Sequence, residues 1–259
     1  MKPTVGANDV RIDEISSVVF LQGHGRLPSD LGGELLDVLG DVCRVVVCDL
    51  SGMAPAGVTS ILDALTPASH YLGVWPGTAL VVYVPEDAVR DALAQALSGE
   101  RIVVASSMAA GEAQARGLLP PLQSVSVLLP PWPKSAPQAR RVVRRTLAEW
   151  GLDDLDEAAA LVTSELVSNA VVHAQTLLHL SLVRAGCQVR LAVRDRGGGR
   201  ASTDPDIPHA SSLHGRGLAL VESYTRGWGV LPARRLGKTV WAVLENGHAP
   251  LAPSEQWGQ

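Results

Sequence analysis

The sequence predicts a chain of two parts, a small α/β sandwich followed by an α+β layer, joined by a proline-rich junction. Three observations predict it. Val-rich runs alternate with helical patterns through the first half of the chain. Prolines then gather at positions 120, 121, 130, 131, 133 and 137. Beyond them, helices and strands come in runs rather than in strict alternation. A chain of 259 residues has room for two modest domains, each with its own core.

In the first half, "SVVFLQGHGRL", "RVVVCDL", "TALVVYVP" and "RIVVASS" read as buried strands. Between them, "DLGGELLDVLGD", "GVTSILDALTPASHYLG" and "DAVRDALAQALSG" read as helices, the last closed by a glycine where a helix end favours one. The junction "LLPPLQSVSVLLPPWPKSAPQ" holds one short strand, "SVSVLL". A helix follows whose start, Ser135 to Gln138, fits a capping box with an early proline, and Gly151 ends it. Asp154 and Glu157 mark the start of a second helix. Strands at "LHLSLVRA" and "QVRLAVRD", a Gly-rich polar loop, a helix "GLALVESYTRG" and a closing pair "WGVLP" and "KTVWAVL" complete a mixed sheet with helices on one face.

Composition narrows the function. Hydrophobic residues make up 46%, charged residues 19% and aromatics 4%, and the net charge is −4, which argues against nucleic acid as a main partner. The charge is unevenly spread. Up to residue 118 there are 7 basic and 14 acidic residues, or −7; the rest has 15 basic and 12 acidic, or +3. That split suits a second part that handles an anion and docks the first. Cys43, Cys48 and Cys187 fit no zinc pattern and read as reduced thiols. No apolar run nears the length of a membrane span, and "MKPTVGANDV" lacks a signal-peptide core. A cytoplasmic protein without a membrane partner is expected.

The stretch "ELVSNAVVHA" sets Glu165, Asn169 and His173 along one side of an otherwise apolar helix, about 40° apart per step of four residues. Leu161, Val162 and Leu166 point into the same half, so the trio is expected to face inward. Buried polar groups need partners. Either these residues satisfy one another and nearby backbone, or they hold something from outside the chain.

Asp195 ends a strand and is followed by "RGGG", where Gly197 and Gly199 let the chain bend closely around a ligand whose amine the carboxylate accepts. A plain glycine turn reads equally from those letters. In "HGRGLALV", Gly215 and Gly217 bracket Arg216 at a helix start, an arrangement suited to phosphate. "RRLGKTV" is not a Walker loop, because Pro232 stands where that motif needs its first glycine.

In this joint order the second half resembles the GHKL ATPase superfamily (the Bergerat-type, HATPase_c fold), and within it the anti-sigma-factor serine kinases of actinobacterial type. "SELVSNAVVHA" is similar to that family's N-box, "VRDRGGG" to its first glycine box, "HGRGLALV" to its second, and "WGV…GKTVWAVL" to its terminal segment. The resemblance implies a two-layer α/β ATP-binding domain over residues 124–248, with a tail at 249–259. It implies Glu165 as general base and Asn169 as a Mg²⁺ ligand. Asp195 would read the adenine amine with Thr239 in support through water, and Gly197 and Gly199 would let the backbone approach the base. Gly215, Arg216 and Gly217 would hold the phosphates of ATP beneath the lid "RASTDPDIPHASSLH". Val172 stands where many such relatives carry a basic residue.

The first half, residues 1–118, resembles a STAS domain, the fold of anti-sigma-factor antagonists, in its β–β–α–β–α–β–α order and in "VVVCDLSGMAPAGVTSIL". Residues 119–136 form the junction. Val58 occupies the place of that family's phosphorylated serine. Thr59 or Ser60 can substitute, although a hydroxyl that starts a helix commonly serves as a cap.

The leading expectation is a protein serine/threonine kinase that phosphorylates a STAS antagonist in a partner-switching pathway, binding ATP and Mg²⁺ and partnered by a sigma factor, a STAS protein or both. Docking of the first domain on the second and a homodimer through the kinase sheet are further expectations. The alternative is a catalytically silent, nucleotide-gated scaffold. A two-component histidine kinase is disfavoured, because no upstream helix offers a phospho-accepting histidine.

Overall fold

A computed structural model describes residues 8–13, 18–25, 31, 35, 44–53, 57–197, 216–232 and 237–246. The chain divides into two compact units, Met1–Pro120 and Pro121–Gln259.

The first unit is built on a five-stranded sheet in sequential order, β1 (Asn8–Asp13), β2 (Val18–Gly25), β3 (Val45–Met53), β4 (Ala79–Tyr83) and β5 (Ile102–Ala105). β1 pairs antiparallel with β2, and every later pair is parallel. Helices α1 (Val58–Val74), α2 (Asp87–Ala96) and α3 (Met108–Leu118) follow β3, β4 and β5. Parallel strands are buried on both faces and so read as continuous apolar runs, as Val45 to Cys48 and Ala79 to Val82 do. Of the helix expected at "DLGGELLDVLGD", only Leu31 and Leu35 are described; both are helical and fully buried.

Two elements of this unit lie on stretches that the sequence pattern did not mark, although the STAS-like order ends in a helix where α3 stands. β1 is NDVRID, an edge strand with no apolar run, held by its ladder to β2. α3 is rich in alanine and glycine and buries only Gly111 and Ala115. Small residues let it lie close on the sheet: a β-carbon at Gly111 would stand 2.5 Å from Val81 Cγ1. Its start is conventional, with Ser107 Oγ accepting from the Ala110 N–H at 3.3 Å.

The second unit holds a five-stranded sheet in the order β6 (Leu122–Leu129), β7 (Leu178–Ala185), β8 (Gln188–Arg194), β10 (Lys238–Glu245), β9 (Gly227–Pro232). Every pair is antiparallel, so the expected mixed sheet is corrected. The reason is that β10 enters between β8 and β9 running against both.

Helices α4 (Ser135–Glu149), α5 (Asp156–Ala174) and α6 (Arg216–Tyr224) belong to this unit, with a single 3₁₀ turn at Asp153–Leu155 before α5. One core joins Val143 and Leu147 of α4, Val162 and Leu166 of α5, and Val221 of α6 to alternate strand residues. Those residues are Leu178, Leu180 and Leu182 on β7, Val189, Leu191 and Val193 on β8, and Val240, Ala242 and Leu244 on β10. The pleat therefore assigns one face of the sheet to the helices.

The expected capping box at Ser135 is also corrected. The N-cap is Lys134, and the Ser135 hydroxyl donates instead to the Pro130 carbonyl at 2.6 Å, tying the helix start to the end of β6. At the other end of α4, Arg184 donates to the Trp150 carbonyl at 2.5 Å, a cation where the helix dipole favours one. Arg144 to Asp156 at 3.2 Å and Arg140 to Ser164 at 2.9 Å bind α4 to α5.

Candidate functional site

The candidate site gathers at one end of the second unit, where the last turn of α5 meets the turn after β8 and the start of β10. Helix α5 turns its small and apolar residues Ala159, Val162, Leu166 and Val167 to the core. Glu165 and Asn169, four residues and about one turn apart, lie half-buried at the border of that stripe. His173, one step further, is exposed. The expected inward-facing trio is thus corrected to a half-buried pair, because α5 ends at Ala174 and its last turn, with Val172 and His173 exposed, runs past the core. Val172 is 67% exposed, an apolar side chain in water beside the site.

Asp195 follows directly on β8 and is buried, at 3% exposure. Its N–H donates to the Lys238 carbonyl at 2.9 Å, which extends the β8–β10 ladder by one residue. Its Oδ1 accepts from the Gly197 N–H at 3.1 Å and from the Lys238 N–H at 3.3 Å. Among the described residues, Oδ2 accepts no hydrogen bond. The outcome is a carboxylate locked by backbone on one oxygen and available on the other, the acceptor that an exocyclic amine requires.

Two glycines make this possible. Gly237 has φ +94°, a conformation L side chains rarely adopt, and a β-carbon there would meet the Asp195 carbonyl oxygen at 2.1 Å. A β-carbon at Gly197 would meet Ala174 Cα and Cβ at 3.1 Å, so the turn lies directly on the end of α5.

The ladder register revises the place of Thr239. It pairs with Arg194, and Lys238 is the residue beside Asp195. Side chains alternate across a strand, and Val193 and Val240 face the helices. Thr239, buried at 6%, therefore turns to the face opposite Asp195. Support of a base through water from its hydroxyl does not follow from this geometry.

That opposite face carries charge. His179, Arg194 and Thr239 lie in one cross-strand row. Burial first, and then the Arg194 and Arg196 charges, push the His179 imidazole below its ordinary pKa.

The remaining expected residues separate by position. Arg216 and Gly217 open α6, while Gly199, Gly215 and the loop 200–214 lie outside the described residues. In the first unit, Thr59 and Ser60 are exposed in the opening turn of α1. Neither is its cap, for the N-cap is Gly57, without a side-chain cap bond, and Val58 is the first helical residue. Cys48 is buried and Cys187 exposed.

Among the described residues, no group of three or more His, Cys, Asp and Glu side chains could hold a metal ion. A divalent cation that arrives with substrate phosphates needs no such cage, since one protein oxygen and water complete its shell. Among the described helices, none is long and apolar enough to cross a membrane.

One residue that sequence reasoning passed over belongs here. Thr176 Oγ1 accepts from the Arg196 N–H at 3.0 Å, across the gap between α5 and the turn after β8. Its place two residues past the end of α5 was the available signal.

No curated protein matches the chain. Residues 129–243, which run from the end of β6 through α4, α5 and the Asp195 turn into β10, match the histidine kinase-like ATPase domain family.

Proposed function

We propose that the chain is an ATP-binding regulatory protein of the anti-sigma-factor type, whose second unit is a serine/threonine protein kinase acting on a STAS-domain antagonist in a partner-switching pathway. The observation that carries the nucleotide part is Asp195, buried and held through Oδ1 by two backbone N–H groups, inside a segment that matches a histidine kinase-like ATPase domain. In this reading, Asp195 Oδ2 accepts from the adenine amine and the Gly197 backbone lies against the base. Asn169 offers its amide oxygen to Mg²⁺, which supplies charge neutralisation to the phosphates. Glu165, one turn earlier on α5, takes the proton of the attacking hydroxyl. Arg216 and Gly217, with Gly199 and Gly215, would serve the phosphates at the start of α6.

A silent, nucleotide-gated scaffold that binds a sigma factor or a STAS protein is the second reading. Val172 favours it, since an exposed valine beside the site supplies no charge to a phosphate. For the first unit we carry the reading of a degenerate STAS domain. Val58 at the start of α1 has no hydroxyl to phosphorylate, and exposed Thr59 and Ser60 are the groups that could take its place. Docking of this acidic unit on the basic second one, and pairing of two chains, belong to the same proposal.

The test is incubation of the full chain with radiolabelled ATP and Mg²⁺, with and without STAS proteins that carry an acceptor serine, beside a Glu165→Gln control. Label on the partner or on Thr59, lost in the control, supports the kinase. Nucleotide binding without any label leaves the scaffold reading.

A further inference from the structure

Helix α5 ends in an unusual way. Its last helical residue is Ala174, and the chain then reverses through Gln175 at φ 50° and ψ 28°, the left-handed conformation, in a residue other than glycine. A strained position of this kind persists where neighbouring structure requires it. What it delivers is Thr176, half-buried, whose hydroxyl oxygen accepts the Arg196 N–H at 3.0 Å. The same hydroxyl reaches the Leu177 carbonyl at 3.5 Å, so its proton is directed away from Arg196 and a lone pair is left for the amide.

The turn after β8 is thus held to the end of α5 at two successive residues. Arg196 is bound through Thr176, and Gly197 rests against Ala174. Asp195 sits immediately before both and is itself bonded to Gly197. Glu165 and Asn169 are on the helix to which this turn is fastened. A nucleotide must meet its base contact and its metal–phosphate contact together, so the spacing between Asp195 and Asn169 has to be held in advance, and small misplacements cost large factors in such sites.

We infer that Thr176 is a positioning residue, its hydroxyl fastening the Asp195–Gly197 turn to the helix that carries Glu165 and Asn169 and thereby setting the affinity for an adenine nucleotide. The nucleotide part rests on the function proposed above; the fastening itself rests only on the geometry. Arg196 is exposed, so an amide released from Thr176 finds water, and the fold tolerates the loss.

The experiment uses the full chain, its Thr176→Val variant, which keeps the shape without the hydroxyl, and its Thr176→Ser variant, which keeps the hydroxyl. Amide hydrogen exchange of Arg196 is followed by NMR without ligand, and ADP binding is measured by calorimetry. Expected are faster Arg196 exchange, a Tm lowered by no more than a few degrees through the loss of about one hydrogen bond, and roughly three- to tenfold weaker ADP binding in Thr176→Val. Thr176→Ser restores both. Arg196 exchange that is equal in all three proteins overturns the inference, as does ADP binding equal in Thr176→Val and wild type. A wild-type chain that binds no ADP overturns the nucleotide reading, and the exchange measurement then decides the fastening alone.

Discussion

Gly237 lies so close to Asp195 that a β-carbon on it would stand 2.1 Å from the Asp195 carbonyl oxygen and 2.7 Å from its carbonyl carbon. The glycine is also at φ +94°. Both facts forbid a side chain, and the close approach is to the one residue whose carboxylate the site is built around. Gly237→Ala is expected to cost about 3 kcal/mol or more of stability, from the left-handed backbone and the clash together. Gly197→Ala, with a nearest approach of 3.1 Å, is expected to cost about 1 kcal/mol. Urea unfolding of the two variants checks the order, and equal costs would contradict it.

Asp195→Asn keeps an oxygen for the Gly197 and Lys238 amides and sets an NH₂ group where Oδ2 now offers an acceptor. Folding is expected to persist. Adenine nucleotide affinity is expected to fall by about 2 kcal/mol, roughly thirtyfold, because two donors then face each other. Calorimetric titration with ADP measures it, and undiminished affinity would remove Asp195 from the base contact.

His179 gives the second unit an acid sensitivity. Its folded pKa lies below the ordinary value of 6.5, so the unfolded chain binds the proton more readily. The stability that neutral His179 allows is complete above that value and is lost as pH falls from it toward the lower folded pKa. Glu245 acts in a separate window. Burial alone would raise its carboxyl, but hydrogen bonds from Arg226 and Gln188 outweigh it and hold the group below its ordinary 4.5, so its contribution is lost only at more acid pH. Thermal unfolding between pH 7 and pH 5 is expected to show a falling Tm that His179→Gln flattens. An identical slope in that variant would assign the effect elsewhere.

The legible parts of the fold were those that bury large side chains in a regular period. "LHLSLVRA" is β7 to the residue, and the helix that carries Glu165 and Asn169 was found from its apolar stripe. β1 and α3 escaped for opposite reasons. β1 has few apolar residues because it borrows its stability from the ladder with β2. α3 binds its sheet through the absence of side chains, Gly111 and Ala115 admitting Val81 and its neighbours, and a search for hydrophobic period does not register small residues. The Ser135 capping box failed because the helix takes Lys134 as its N-cap, which leaves Ser135 inside the first turn with its hydroxyl donating to the Pro130 carbonyl.

The sequence by itself determined which chemical groups the second unit can offer: a carboxylate and an amide one turn apart on a helix, and a second carboxylate at a strand end before glycines. Those follow from local periodicity, which a linear pattern records. The tertiary structure alone decided which of them meet. A ladder register set Lys238, and not Thr239, beside Asp195, and a shift of one residue in a strand reverses the face of every side chain. The same long-range packing brought Thr176 to Arg196, twenty residues away in the chain and 3.0 Å apart in space.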